Sequence, residues 1–357
     1  MKTLHTAIDL FSGAGGASFG LKKAGFKVLV AVDIDPSACK TYKKNLGLEP
    51  ICGDLKVITG YDILEHCGLR SGDVSVVAGC PPCQGFSSLR RTRYPSGLDM
   101  RNNLIDVFLK RVEEIDPKGV IFENVSGITK LHGRKFFEKY LNMMEKMGYS
   151  TSWEVVNAAD FGVPQYRKRV IALSLKDKKV PIYPHPTHAR PKIATGELEP
   201  WVNVWETIRG LPPLEAGESD PKIPNHAARN HSRRIKEIIS LIPKDGGSRR
   251  SLPREYWLPC HQKLHLGRGW GAENIYGRMC WSKPAPTLTC RCTTPSSGRF
   301  LHPVQDRAIT PREAARFQRF PDCAVFPTFF SHAEKQIGNA IPVDLMGVMA
   351  SSLSESL

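Results

Sequence analysis

Cys80 and Cys83, in the stretch VVAGCPPCQGFSS, are spaced as a redox pair, as half of a metal site, or as one nucleophile with an incidental neighbour. A redox C-x-x-C sits at the start of a helix, whose terminus lowers one thiol pKa. Here Pro81 and Pro82 separate the thiols, and the polar, basic segment QGFSSLRRTRYPSGLD that follows reads as a long loop. A zinc site needs a second pair at similar spacing. The chain offers only Cys290-x-Cys292 and the isolated Cys260 and Cys280, so no metal is expected. A buried structural thiol is the plain reading of Cys83. As a lone nucleophile, Cys83 would stand at a strand end and project into the crevice at the carboxyl edge of a sheet, its backbone fixed by the prolines, with Cys80 as a buried neighbour.

A second candidate is the turn DLFSGAGGASFG, with Gly13, Gly15 and Gly16 between a strand and a helix. Glycine permits tight conformations and close approach of a ligand. Ser18 stands where a dinucleotide fingerprint has its last glycine. Asp33, about twenty residues on, can meet ribose hydroxyls, and Asp54, after a third strand, an adenine amino group. The expected ligand contains adenosine. The turn alone does not separate a nicotinamide cofactor from S-adenosylmethionine, nor either from a turn needed only for packing.

These residues need a scaffold. TAIDLF, KVLVAVDID, DVSVVAG, GVIFENV and VIALSL read as strands, with ASFGLKKAG, DPSACKTYKKNLG and LIDVFLKRVEEI as helices between them. Asp35 is the expected N-cap of the second helix, Pro36 its first residue and Gly47 its end. Strands alternating with helices predict an α/β fold with a doubly wound, mostly parallel sheet. From about 180 to 299 the pattern gives way to prolines and paired glycines. Residues 181–300 carry 18 Lys+Arg against 10 Asp+Glu, and six of the 11 histidines. This reads as a smaller loop-rich domain, after which TPREAARFQRF and IPVDLMGVMASSL return to helical periodicity and pack back on the first domain. The expected boundaries are 1–184, 185–300 and 301–357.

The whole chain of 357 residues has a net charge of +15, which points to a polyanionic partner, most often nucleic acid. No apolar run approaches the ~20 residues of a membrane span. The N-terminus lacks a signal-peptide core. Ten irregularly spaced cysteines read as reduced thiols of a cytoplasmic protein.

With DLFSGAGG, GCPPCQGFS, FENV, FGVPQYRKR, TPREAARFQRFPD and QIGNAIPV in this order, the chain resembles the cytosine-C5 DNA methyltransferases, most nearly the bacterial restriction–modification type. The resemblance runs over nearly the whole chain except the variable region. It implies a Rossmann-like S-adenosylmethionine-dependent domain with an inserted target-recognition domain, and a DNA cleft between the two lobes. Cys83 would add to C6 of a flipped cytosine. Glu123 would hold N3 and the exocyclic amine. Arg167 and Arg169, two apart on a strand and so on one face, would grip the cytosine O2 and a phosphate. The cofactor pattern carries onto Phe11, Gly13, Gly15, Asp33, Ile34, Asp54, Pro82, Leu104, Asn339 and Ala340, with Phe11 and Ile34 around the adenine. Two positions depart from it: many relatives have a longer acid at Asp33 and an aromatic residue at Ile34. Loop 84–101, with Arg90, Arg91, Arg93 and Arg101, would close over the flipped DNA and touch phosphates, and Gln84 and Ser87 would also contact the DNA. Arg233, Arg234, Arg249, Arg250, Arg268 and Arg291 would contact bases or phosphates. Double-stranded DNA is the implied partner, with a cognate restriction endonuclease acting separately and the protein a monomer in the cytoplasm, associated with the nucleoid through DNA. The alternatives are a tRNA cytosine-5 methyltransferase, a nicotinamide-dependent redox protein using both cysteines, and a DNA-binding protein without activity.

Overall fold

The computed structural model describes residues 5–82, 104–191, 193–194, 196–258 and 274–357. They divide into two compact units. One comprises Met1–Phe161, Lys168–Thr187 and Ala340–Leu357, the other Gly162–Arg167 and His188–Asn339. The segment 301–357, expected as a single return, is thus shared between them.

The first unit is built on a seven-stranded sheet. In chain order its elements are β1 (Thr6–Leu10), α1 (Gly16–Lys23), β2 (Lys27–Asp33), α2 (Pro36–Leu46), β3 (Ile51–Cys52), α3 (Gly60–Cys67), β4 (Val76–Gly79), α4 (Leu104–Ile115), β5 (Gly119–Val125), α5 (Leu131–Lys146), β6 (Ser150–Asn157) and β7 (Lys168–Leu175). The strand order is β3-β2-β1-β4-β5-β7-β6, parallel from β3 to β5, with β7 antiparallel to both its neighbours. The chain runs outward from β1 in both directions, so a crevice opens where β1 and β4 end, the place such sheets bind ligands. Sequence reading missed β6. It is the edge strand, and with Trp153 and Val155 both exposed it lacks the buried run that marked the others.

Side chains alternate across each strand, and the two faces have different jobs. Ile8, Leu10, Val77, Val120 and Phe122 point into the main core with Phe108, Val112 and Tyr140 of α4 and α5. The intervening residues face α1 and the C-terminal helix Val343–Ser354, which pack on each other. Their close approach depends on Gly20. A Cβ there would lie 2.6 Å from both the Val343 carbonyl oxygen and Met346 Cβ. The sequence capping signals hold: Asp35 Oδ1 accepts from the Ser37 amide at 3.0 Å, and Gly47 ends α2 at φ 69°.

Among its described residues the second unit has little regular structure: a short parallel pairing of His188–Ala189 with Glu199–Pro200, a few isolated bridges and 3-10 turns, and the α-helices Val204–Ile208, Arg233–Ser240, Pro311–Phe317 and Phe330–Asn339. Without a sheet ladder, many buried carbonyls need other donors. Arginines supply them. Arg278 donates to the carbonyls of Ile239, Ile242 and His302, and Arg312 to those of Pro224, Pro321 and Ala324. Arg307 forks onto Glu313 at 2.7 and 2.8 Å and also reaches the Leu214 carbonyl. Burial alone would raise the Glu313 carboxyl, but Arg307, His302 and the Thr310 amide together bring it down to about 2. Among the described residues, no helix is long and apolar enough to cross a membrane.

Candidate active site

One face of the sheet assembles the first unit's polar groups. Asp9 pairs with Ala78, Ala78 with Ile121, and Gly79 with Phe122. The Cys80 amide continues the ladder to the Leu10 carbonyl at 3.4 Å. Counting by twos, Asp9, Cys80 and Glu123 therefore share the face that looks toward α1. In the antiparallel neighbour, Val125 pairs with Arg169, which brings Arg169 to the same face. Its Nε lies 2.9 Å from Glu123 Oε1, in a pair whose side chains are both nearly buried. The strand end thus presents a carboxylate whose direction is set by an arginine.

Cys83 lies outside the described residues, as do Gln84, Ser87, Arg90, Arg91, Arg93, Arg101 and Arg268. The chain leading to Cys83 is described as far as Pro82. Asn124, which sequence reading passed over for its neighbour Glu123, donates from Nδ2 to the Pro81 carbonyl at 3.2 Å. This ties the end of β5 to the residues that follow Cys80. Burial pushes the Cys80 thiol well above its ordinary range, and the nearby Glu123 and Asp9 add to the shift against Arg169. A redox pair needs the opposite, a thiol lowered toward neutrality.

Below the glycine turn, Asp9 is 1% exposed. Its Oδ2 accepts from Ser18 Oγ at 2.6 Å, and Ser18 Oγ lies 2.7 Å from the Tyr42 hydroxyl. Ser18, notable in the sequence only as a missing glycine, anchors α1 on this buried carboxyl. Burial pushes Asp9 up to about 7; Asp33 adds to the rise and Ser18 opposes it.

The turn itself is strained where it opens. Phe11 takes φ 60° and Gly13 φ 54°, a region costly for a residue with a side chain. A Cβ on Gly13 would meet nothing within 4 Å, so the turn faces open space. Ile34 at the end of β2 is 64% exposed, which excludes core packing for it, whereas Phe11 packs partly against the main core. Asp54 caps its own turn by accepting from the Lys56 amide at 2.9 Å. Ala340 borders the same turn: a Cβ on Gly16 would lie 3.0 Å from Ala340 Cβ. Gly15 and Leu104 also belong to this unit.

In the second unit, Arg167 is 1% exposed and donates to the carbonyls of Leu288 at 3.3 Å and Gly338 at 3.0 Å. This corrects the expectation that Arg167 and Arg169 share a strand face. The strand begins at Lys168, so the alternation does not reach Arg167. Asn339 is exposed and accepts from Cys290 Sγ at 2.8 Å. Arg233 and Arg234 open an exposed helix turn, and Arg250 and Arg291 are exposed as well. Arg249 is a second correction: at 4% exposure it is part of the interior. Arg278, which the sequence did not single out, is held inside as well.

The family model for C-5 cytosine-specific DNA methylase matches residues 5–355. The chain is 35% identical over 98% of its length to the Type II methyltransferase M1.HphI of Haemophilus parahaemolyticus, covering 86% of that protein. It is 33% identical to the Type II methylase M.HgiDII of Herpetosiphon aurantiacus, over 98% of this chain and 95% of that one. Among solved structures, a DNA modification methyltransferase encoded within an E. coli prophage superposes with a TM-score of 0.74 at 24% identity, over 99% of both chains. The S. pombe Dnmt2 methyltransferase does so at 0.64 and 19%, over 98% of both. At those identities the solved structures speak to the fold. The match over nearly every residue of the chain does more, and by it this protein belongs to the C-5 cytosine-specific DNA methylase family.

Proposed function

We propose that the protein transfers a methyl group from S-adenosylmethionine to C5 of a cytosine flipped out of a specific double-stranded DNA sequence, through a covalent bond from Cys83 Sγ to C6. The observation that carries this reading is the Glu123–Arg169 pair at the end of β5, beside the turn that leads from β4 to Cys83 and is tied to β5 by Asn124. Cytosine C5 is a poor nucleophile until a thiolate adds at C6 and makes the ring an enamine. Glu123 meets the ring at N3 and the exocyclic amine, holding N3 protonated as addition proceeds. Arg169 keeps the carboxylate aimed. The C5 proton then leaves to a base, the C5–C6 double bond reforms and the thiolate departs. Flipping the base costs a few kcal/mol, drawn from contacts to the DNA.

The residues of the first unit fit the cofactor. The glycine turn faces open space, exposed Ile34 offers an apolar surface for an adenine, and acids stand at the ends of β2 and β3. When bound, S-adenosylmethionine supplies an electrophilic methyl group. Phe11, Gly13, Asp33, Ile34, Asp54 and Ala340 are the residues that would hold it, with Gly15, Pro82 and Leu104 in support.

The second unit is read as the target-recognition domain, its exposed Arg233, Arg234, Arg250 and Arg291 meeting phosphates and base edges. The Type II names of the relatives support a restriction–modification setting with a separately acting endonuclease. Cys83→Ala should abolish tritium transfer from labelled cofactor to duplex DNA while cofactor binding stays within about twofold, since the thiol acts only on the base. Full turnover by this variant, or transfer to tRNA in place of DNA, would overturn the reading.

A further inference from the structure

Cys39 and Cys52 belong to different elements, and the fold brings them to one place. Cys39 lies near the start of α2 on its buried face, 6% exposed, and Cys52 ends β3 open to solvent. Cys52 stands beside Asp33 in the ladder between β3 and β2. The Asp33 carbonyl accepts from Cys39 Sγ at 3.4 Å and from the Gly53 amide at 2.9 Å. The Cys39 sulfur and the backbone just after Cys52 therefore converge on one oxygen. Burial pushes the Cys39 thiol far above its ordinary range, and a hydrogen bond with the Cys52 side chain adds to the rise, as do Asp33 and Asp35. Both thiols are free. The two are unlike: one is shielded and kept protonated, the other meets whatever the solvent carries. Neither has a part in the methyl transfer proposed above.

We propose that Cys39 and Cys52 form a reversible modification site for hydroperoxides, at which exposed Cys52 is oxidised first and Cys39 then closes a disulfide with it. The Cys52 sulfur attacks the peroxide. The O–O bond breaks, an alcohol leaves (water, for hydrogen peroxide), and Cys52 becomes a sulfenic acid. Cys39 Sγ attacks that sulfur in turn. The S–S bond forms, the S–O bond breaks, and the departing hydroxide takes the Cys39 proton and leaves as water. The two thiols give up two electrons and two protons, and the peroxide takes them up. A disulfide needs its two chain segments to run close together, and the shared acceptor at Asp33 provides this. In a reducing compartment such a bond is transient, a sensing bond and not a structural one.

Peptide mapping of the intact protein tests this. After exposure to hydrogen peroxide, blocking of the remaining thiols and digestion without reduction, a peptide pair joining Cys39 to Cys52 should appear, and dithiothreitol should remove it. The link should form at least about tenfold faster in the folded protein than in urea, because the fold holds the sulfurs together. In Cys39→Ser, which lacks the second thiol, Cys52 should stop at the sulfenic acid and be trapped by dimedone. Cys52→Ser, altered at an exposed position, should leave Cys39 a free thiol after the same treatment. Absence of the Cys39–Cys52 pair, equal rates in the folded and unfolded protein, Cys52 joined instead to a different cysteine, or undiminished oxidation of Cys39 in Cys52→Ser would overturn the proposal. Should Cys39→Ser not fold, the two rates and the Cys52→Ser result decide alone.

Discussion

Asp9 sets a stability cost that depends on pH. It is buried, its Oδ2 is occupied by Ser18, and its carboxyl titrates at about 7 in the folded protein against about 3.9 in an unfolded chain. The folded state therefore binds this proton more tightly. The group's contribution is fully favourable below pH ~4 and is lost as pH rises through about 7, a change on the order of 4 kcal/mol. Denaturant titrations of the native protein and Asp9→Asn across pH 5 to 8 check this. Stability of the native protein should fall relative to the variant as pH rises, with the difference levelling off above neutrality. Parallel curves would mean that Asp9 stays ionised when folded. None of this could be read from the sequence, where Asp9 is one acid in TAIDLF. Its burial follows from which face of β1 it takes and from Ser18 landing on it nine residues later.

At the scale of elements, α1 and the C-terminal helix touch where Gly20 leaves room. Gly20→Ala sets two effects against each other. Helix propensity gains about 1 kcal/mol. The new methyl group meets a carbonyl oxygen and a Cβ at 2.6 Å, neither of which is a flexible side-chain end, and such overpacking costs about 1–3 kcal/mol. The clash should win by up to about 2 kcal/mol, seen as a lower urea midpoint at unchanged slope. A midpoint at or above that of the native protein would contradict this packing. The elements of the first unit were legible because buried strands and capped helices leave periodic marks: TAIDLF, GVIFENV and the Asp35 cap all stand where their patterns put them. β6 was not, being an edge. The second unit was legible only as irregular. Its interior is joined by Arg278, Arg307 and Arg312 reaching carbonyls far along the chain, and no local pattern records such links.

For the molecule as a whole, six ordered motifs made the family visible in the sequence, and the structure pairs Glu123 with Arg169 at the end of β5 and leaves Ile34 exposed beyond β2. Two assignments did not survive: the shared strand face of Arg167 with Arg169, and Arg249 as a surface cation. Both failed because spacing says nothing of where a strand begins or which charges are held inside. The central claim concerns one bond, from sulfur to a pyrimidine carbon. It is tested most directly with a duplex carrying the protein's recognised sequence, found by bisulfite sequencing, in which the target cytosine bears fluorine at C5. Fluorine cannot leave as a proton does, so the adduct cannot resolve. The account predicts a covalent protein–DNA species that survives denaturation, maps by peptide mass to Cys83 and is absent in Cys83→Ala. Absence of any adduct in the native protein, or an adduct on Cys80, would contradict it.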